Sequence, residues 1–555
     1  MPFNHKRFAS LTSLAMAIIM ALAACGNSSG SANSGNAGSD SPAASASSGS
    51  SAAETAKEAV PPLSPDNPRE FSVLFNYSWF PADNFNGVIP EEITKRLGVT
   101  LKPSVVIDNQ QLGTLIASGD LPDIIATSDL RSNLSSSELC YDLGGIIEQY
   151  GLDPNLIPKM HQASAMSFSQ DEGKYYAVLS HFDSTEDWRT LENYNLGAPT
   201  IGSLLYRHDL YEQMGSPKME TMDDVINMLL MAKDAFPELT TAVFIPFSTY
   251  FEYIRCNLGM GNLGCTFVES ASGDWIPYVK HENYKQYMQY IYKLFSAGCI
   301  PADNWAWDIS TSASMLSQGQ AFAAFSGCQG NALAAQIELQ RDVDPNAYVY
   351  EAPVVGDPDG YYMSDLGFMS TFITKNCKDP AGALQFLAWT LTDEGKKLTQ
   401  WGREGHEYTL DENGNPTFSK EWNDAYLENT YQEIYNPFFY FGASRVFEAV
   451  SRCQDIDEAT TPNYPVIRAH FANKPWMSYA IPVEGSDESI IYNNLFANPS
   501  GLFFTTEIKM ATASSEEEFE SIYNSMFEEA EKMGLSTIEA YMKDKINEAK
   551  AIYGA

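Results

Sequence analysis

The residues best placed to do chemistry in this 555-residue chain are tryptophans set in polar loops. An aromatic plate flanked by hydrogen-bonding groups suits a ligand ring with an apolar face and a rim of hydroxyls. Trp79 follows an alternating segment, Glu70 to Phe75, and has Asn76 and Tyr77 beside it. Trp188 stands in the polar run Asp183-Ser-Thr-Glu-Asp-Trp-Arg. Trp305 and Trp307 are two apart in Pro301-Ala-Asp-Asn-Trp-Ala-Trp-Asp, so an extended loop would show both to one side. Trp401 comes with Arg403, and Trp476 sits in the turn-like Asn473-Lys-Pro-Trp. Trp275, Trp389 and Trp422 read as core or ordinary surface. Asp129, Asp183 and Arg445 are candidate polar partners for such a ring.

Other chemistries lack their motifs. The seven histidines are scattered, with no H-E-x-x-H and no spacing suited to a metal. No Walker A and no C-x-x-C occurs, and Gly26-Asn-Ser-Ser-Gly fits a nucleophile elbow only formally, without strand, turn and helix around it. A glycoside hydrolase needs two carboxylates about 5–5.5 Å or 6.5–9.5 Å apart. With 71 acidic residues such a pair is available, so this class stays open. The net charge of -37 disfavours nucleic acid and anionic polymers as partners. Asp411-Glu-Asn-Gly-Asn-Pro has oxygen ligands at alternate positions. An EF-hand loop wants glycine sixth and glutamate twelfth, where this chain has Pro416 and Trp422. A hairpin between Tyr408-Thr-Leu and Thr417-Phe is the preferred reading, with calcium the weaker alternative and no other cofactor expected.

The elements that must position these residues alternate. Glu70 to Phe75 reads as a strand, Val88–Leu97 as a helix stopped by Gly98, and Val99 to Ile107 as a second strand. A helix over Gln110 to Ser118 ends at Gly119, and Pro122-Asp-Ile-Ile-Ala is a third strand. This rhythm indicates an α/β domain with a largely parallel sheet. Thr221 with Asp224 reads as a capping box, and Asp379-Pro380 opens a helix to Thr392. The tail carries two amphipathic helices, one opened by Ser515 and the last capped by Ser536 or Thr537. Some 490 residues beyond position 66 exceed one usual core, so two or more domains are expected.

The first 62 residues form a separate unit. Lys6 and Arg7 precede an apolar run, Leu11 to Leu22, too short for a membrane span and suited to a secretory signal. The run ends in Leu22-Ala-Ala-Cys25-Gly, which resembles the lipobox of bacterial lipoproteins. That resemblance implies a signal peptide over 1–24 and a lipid on Cys25. Gly26 to Glu58 is nearly all Ser, Gly, Ala, Asn and small acidic residues, a flexible coil. Residues 25–65 thus form a tether spanning roughly 30–35 Å. Seven further cysteines remain, an odd number, and Cys256 with Cys265 are candidates for a small disulfide loop.

A string of segments then resembles the extracellular substrate-binding lipoproteins of ABC sugar importers, in particular the large oligosaccharide-binding group of Gram-positive bacteria, the LplA or lipoprotein-O type. The segments are Ala117-Ser-Gly-Asp-Leu-Pro-Asp-Ile, Asp171-Glu-Gly-Lys-Tyr-Tyr-Ala and Leu205-Tyr-Arg-His-Asp-Leu-Tyr-Glu-Gln-Met-Gly-Ser-Pro. Leu294-Phe-Ser-Ala-Gly-Cys-Ile-Pro, Leu391-Thr-Asp-Glu-Gly and Trp401-Gly-Arg-Glu-Gly-His-Glu-Tyr follow in order. The resemblance implies a two-lobe, class II periplasmic-binding-protein-like α/β fold with discontinuous lobes and a hinge. The first lobe is expected over 66–178 and 345–400, the second over 179–344 and 401–555. It also implies ligand residues near the crossovers, adding Gln329 to those above, and in some relatives a calcium ion. The expected role is a monomeric, membrane-anchored, non-enzymatic receptor on the outer face of the cytoplasmic membrane. It would capture a neutral oligosaccharide and deliver it to the transmembrane subunits of an ABC permease. A peptide or other non-sugar solute, or a surface glycoside hydrolase, are the alternatives.

Overall fold

The computed structural model describes residues 60–555 except 78–79, 81–83, 107–109, 191–198, 200, 245–250, 308–314, 327–330, 413, 429, 437–440, 453–459, 484 and 498. The expected signal and Cys25, the expected lipid site, lie outside the described residues, as do Trp79 and Gln329. No helix among the described residues is long and apolar enough to cross a membrane.

Five strands build the first sheet, in the order Val99–Val105, Arg69–Phe75, Ile124–Thr127, Met369–Ile373, Ala177–Ser180. The first three are parallel, and Met369–Ile373 runs antiparallel to both its neighbours. The sheet is therefore mixed rather than largely parallel, because a strand from far along the chain inserts between two early ones. Its central strands Ile124–Thr127 and Met369–Ile373 are buried along their length, as strands covered on both faces are, and the second carries Ser370 and Thr371 into the interior. Val88–Leu97 is helical, and Gly98 ends it with φ 68. A Cβ there would meet the Ser64 carbonyl oxygen at 2.2 Å, so only glycine fits.

A second sheet has the order Val349–Glu351, Ser203–Arg207, Ala321–Ser326, Thr241–Phe244, and only its last pair is parallel. Thr221 and Asp224 form the expected capping box ahead of the helix Met222–Ala235. Asp379 accepts from the Gly382 N–H and starts Pro380–Thr390. The last helix, Leu535–Tyr553, begins instead after Gly534 at φ 101, not at Ser536 or Thr537.

Two hydrophobic cores accompany the sheets. One holds Phe75, Ile124, Val178, Phe372, Leu384, Trp401 and Phe471. The other holds Leu204, Leu229, Phe267, Phe322, Phe503 and Ile546. Helices and a hairpin between 401 and 471 pack on the first core, through Trp401, Tyr408, Phe418, Trp422 and Ile467. This differs from their expected place in the second lobe. The reason is that Asp393–Trp401 carries its apolar face straight from Pro380–Thr390 into the first core, and the following segment covers it. The chain passes between the cores after Ser180, again before Met369, and a third time after Phe471.

Cys256 and Cys265 are both free and buried, not bridged. Cys256 belongs to the first core and Cys265 to the second. Cys265 Sγ instead lies 3.4 Å from Asn262 Oδ1. The hairpin at Tyr408–Leu410 and Pro416–Phe418 forms as expected. Asp411 closes it by accepting from the Asn415 N–H at 2.8 Å and from Asn415 Nδ2 at 2.9 Å.

Glu252 is a buried acid in the second lobe, and its Oε1 accepts from the Leu263 N–H at 3.0 Å. Burial pushes its pKa up to about 7, against the pull of that N–H and of Arg255. The native state then holds a proton that the unfolded chain has lost, so stability is full at low pH and falls as pH rises toward 7. His161 acts oppositely. Burial lowers its pKa to about 3, so its contribution is lost as pH falls below the unfolded value of 6.5. Glu252→Gln is expected to remove about 2–3 kcal/mol of the stability lost between pH 4 and pH 8. Urea midpoints across that range check this, and an unchanged slope would contradict it.

Candidate ligand-binding site

The parallel strands of the first sheet end at Phe75 and Thr127, and open α/β sheets bind ligands beyond such carboxyl ends. Asn76 lies at this end, 1% exposed. Its N–H donates to the Ala126 carbonyl at 2.9 Å, and its Nδ2 donates to Thr127 Oγ1 at 3.0 Å and reaches Asp129 Oδ2 at 3.4 Å. The Thr127 hydroxyl donates to the Asp129 carbonyl at 3.1 Å, which turns the chain and presents the Asp129 side chain to solvent. Asn76 Oδ1 is buried without a partner.

Tyr77 stacks on Phe368, with centroids 5.4 Å apart and planes at 29°. Burial raises the Tyr77 hydroxyl's pKa, keeping it a neutral donor. His181 meets the same Phe368 edge-on at 5.8 Å. It holds a left-handed backbone, φ 54, immediately after the edge strand. Its Nδ1 lies 3.0 Å from Ser180 Oγ and its Nε2 lies 3.8 Å from a Glu448 carboxylate oxygen. Arg131 donates to the carbonyls of Gly367, at 3.2 Å, and Phe368, and lies over the Phe168 ring.

The crossings are tied to this wall. Asp183 is 2% exposed. Its carboxylate accepts from the Ser444 hydroxyl and, at 2.7 Å, from the Arg445 N–H, opening the helix Arg445–Arg452. Burial raises its pKa to about 6 in spite of Lys396 and those donors. Arg445 pairs with Asp365 at 3.1 Å. Asn473, from the third crossing, donates through Nδ2 to the carbonyls of Asp183 at 2.9 Å and Asp365 at 3.2 Å. Its Oδ1 accepts from the Asp365 N–H at 3.0 Å. Its backbone also pairs through Tyr362–Met363 and Ala472–Asn473, a two-stranded parallel ribbon. One asparagine thus joins all three crossings.

The structure brings Asn76, Tyr77 and Asp129 together, and Asp183 with Arg445, as neighbours along one wall. It does not do so for Trp188, Trp305, Trp307, Trp401 or Trp476. Trp188 is 2% exposed and packs edge-on against Phe471 at 5.1 Å. Trp401 is wholly enclosed and donates from Nε1 to the Phe447 carbonyl at 2.8 Å. Arg403 is spent on Glu407, with contacts of 3.0 and 2.7 Å. Trp305 and Trp307 separate, because Ala302–Ala306 is a 3-10 turn rather than an extended loop. Trp305 stacks on Phe295 at 5.6 Å, and Trp307 packs on a small cluster around Leu316 and Val349. Trp476 is half-buried on the second core, its Nε1 without a partner.

The wall's Arg131, His181, Asp365, Phe368 and Glu448 escaped sequence reasoning. Only the unusual pair of a positive φ and a histidine could have flagged His181, and that is not visible before folding. Among the described residues no three His, Cys, Asp or Glu side chains gather as a metal site. A hollow of about 410 Å³ lined by Asn133, Ser137, Glu138, Gln170 and Asp171 opens at the other end of the first sheet, beside the Cys140–Thr374 bridge. None of the wall's residues reaches it.

The family model described as bacterial extracellular solute-binding protein matches residues 81–397. No curated protein matches the chain. Among solved structures, one similar in fold is an HMO-binding, ABC-transporter-associated solute-binding protein from Bifidobacterium longum infantis. It has 16% identity and a TM-score of 0.60 over 88% of this chain and 99% of that one. Another is FusA from S. pneumoniae, an EF-hand mutant in complex with fructo-nystose, with 15% identity and a TM-score of 0.60 over 87% and 100%. The alginate-binding protein AlgQ2, solved without calcium ion, has 14% identity and a TM-score of 0.56 over 87% and 98%.

Proposed function

The chain belongs to the bacterial extracellular solute-binding proteins, and on that premise we propose that it is the receptor of an ABC importer for a neutral oligosaccharide. The ligand is held between the first-sheet wall and the second lobe, and handed to the permease. Cys25 carries the lipid, and residues 25–65 tether the receptor to the outer face of the membrane. The lobes divide as the two cores do, with 401–471 in the first.

The observation that carries the sugar reading is the composition of the wall. Tyr77 and Phe368 supply aromatic surface, and Asn76, Asp129, Arg131, His181 and Glu448 surround them with donors and acceptors. Four carboxylates, Asp129, Asp183, Asp365 and Glu448, face two arginines, Arg131 and Arg445, a balance that repels uronates. The fold neighbours bind HMO, fructo-nystose and alginate, which supports a saccharide ligand, and the last of these puts uronates in the same test.

Calorimetric titration with neutral oligosaccharides, among them kestose and nystose, against alginate oligomers and peptides, tests this. Binding of a neutral sugar is expected. Binding only of peptides or uronates, or turnover of glycosidic bonds, would overturn it. Asp129→Ala is expected to weaken the sugar bound in that screen by about 10- to 100-fold, the worth of a hydrogen bond to a charged acceptor. Its melting temperature should stay within about 2 °C, because Asp129 is exposed. Unchanged affinity would remove Asp129 from the site.

A further inference from the structure

The last helix belongs to both cores. Leu535, Ile538, Met542 and Ile546 lie in the second, whereas Tyr553, at its end, packs on the first. There the Tyr553 hydroxyl and Ser164 Oγ are 2.7 Å apart. Ser164 is fully buried, on the helix Lys159–Met166 that packs against the edge strand Ala177–Ser180. Tyr479, just beyond the third crossing, meets the Tyr553 ring edge-on at 6.0 Å. Burial keeps the Tyr553 hydroxyl neutral at ordinary pH.

We infer that Tyr553 is an interlobe strut, a side-chain bond from the second lobe to the first lobe's edge that holds the present arrangement of the lobes. Ser164 and Tyr553 are 389 residues apart, and neither lies on a crossing segment. A rotation of one lobe on the other must therefore move this contact, and it also works the hydrogen bonds of the crossings, about which the lobes turn. Drawing Tyr553 away would break the hydrogen bond to Ser164 and uncover apolar surface of the ring, a cost that opposes the rotation. The ring itself fills the gap between Tyr479 and the first core. Motion of the lobes and retention of this one contact are thereby set against each other. Its bearing on ligand capture rests on the receptor reading above, but its test needs no ligand.

Hydrogen–deuterium exchange of the purified full-length protein, free of ligand, checks it in Tyr553→Phe, Ser164→Ala and the double variant. The amides to follow are Phe368, bonded to Ser180 O, Lys474, bonded to Met363 O, and Asn473, bonded to Thr185 Oγ1. Each single variant is expected to speed their exchange about three- to tenfold, the worth of one net hydrogen bond. The double variant should be no faster than either, since both remove the same bond. Faster exchange confined to the last turn of Leu535–Tyr553, additive effects, or no change at the crossing amides would overturn the strut. Both substitutions spare the ring and the helix, so a melting temperature within about 2 °C of wild type accompanies the expected result. A sugar screen that fails leaves this outcome untouched, so the two readings are separable.

Discussion

Trp401→Ala is expected to cost about 3–5 kcal/mol of folding stability, the range for removing a large aromatic from a core. The indole has no exposed surface, and its ring meets Phe447 at 4.8 Å, Tyr408 at 5.5 Å and Phe418 at 6.1 Å. Alanine would leave a cavity ringed by three aromatics that cannot all collapse into it, and would remove the indole's hydrogen bond to the Phe447 carbonyl. The urea midpoint should fall steeply, while the folded fraction keeps its ligand affinity within about threefold. Lost affinity at a normal midpoint would make Trp401 a ligand plate after all.

Asn473→Ala is expected to separate the lobes thermodynamically. It removes three side-chain hydrogen bonds inside a buried junction and leaves the Asp365 N–H and two carbonyls without those partners. Each stranded group costs about 1–3 kcal/mol. The loss falls on the segments that join the cores, not on either core. Calorimetry should therefore resolve one unfolding transition of the parent into two in the variant. The lobe transitions themselves should move little, since Phe75 and Leu204 lie in cores the substitution does not touch. A single transition at the parent's temperature would show that the crossings are held by something other than Asn473.

The helices and turns were legible in the sequence where a short-range signal specifies them. Gly98 ends its helix because no other residue fits beside Ser64, and Thr221–Asp224 caps because the two side chains reach each other's backbone within one turn. The insertion of Met369–Ile373 into the first sheet was not legible. It depends on a pairing with Ile124–Thr127 some 240 residues earlier, which no local pattern encodes. The tryptophans misled for the same reason. Loop-like polar neighbours around Trp188 and Trp401 say nothing of the Phe471 and Phe447 that close over them. Asn76, Tyr77 and Asp129 do lie together beyond the strand ends, a placement that needs only the strands' positions to anticipate. Arg131 and Phe368 were not anticipated, since their place on the wall follows from the long-range pairing.

Among the described residues, Cys140, Cys256, Cys265, Cys299 and Cys377 are all free and buried. Burial pushes the thiols of Cys140, Cys265 and Cys377 up to about 12 and that of Cys299 to about 11, and holds that of Cys256 well above its ordinary value. A thiol so held has almost no thiolate to offer an oxidant. Folding therefore serves these five cysteines as their protection, and none of them waits on an oxidase to mature. The exposed moment is the unfolded chain, when each is an ordinary reactive thiol. For these five, the speed at which the two cores close then decides how far they escape misoxidation.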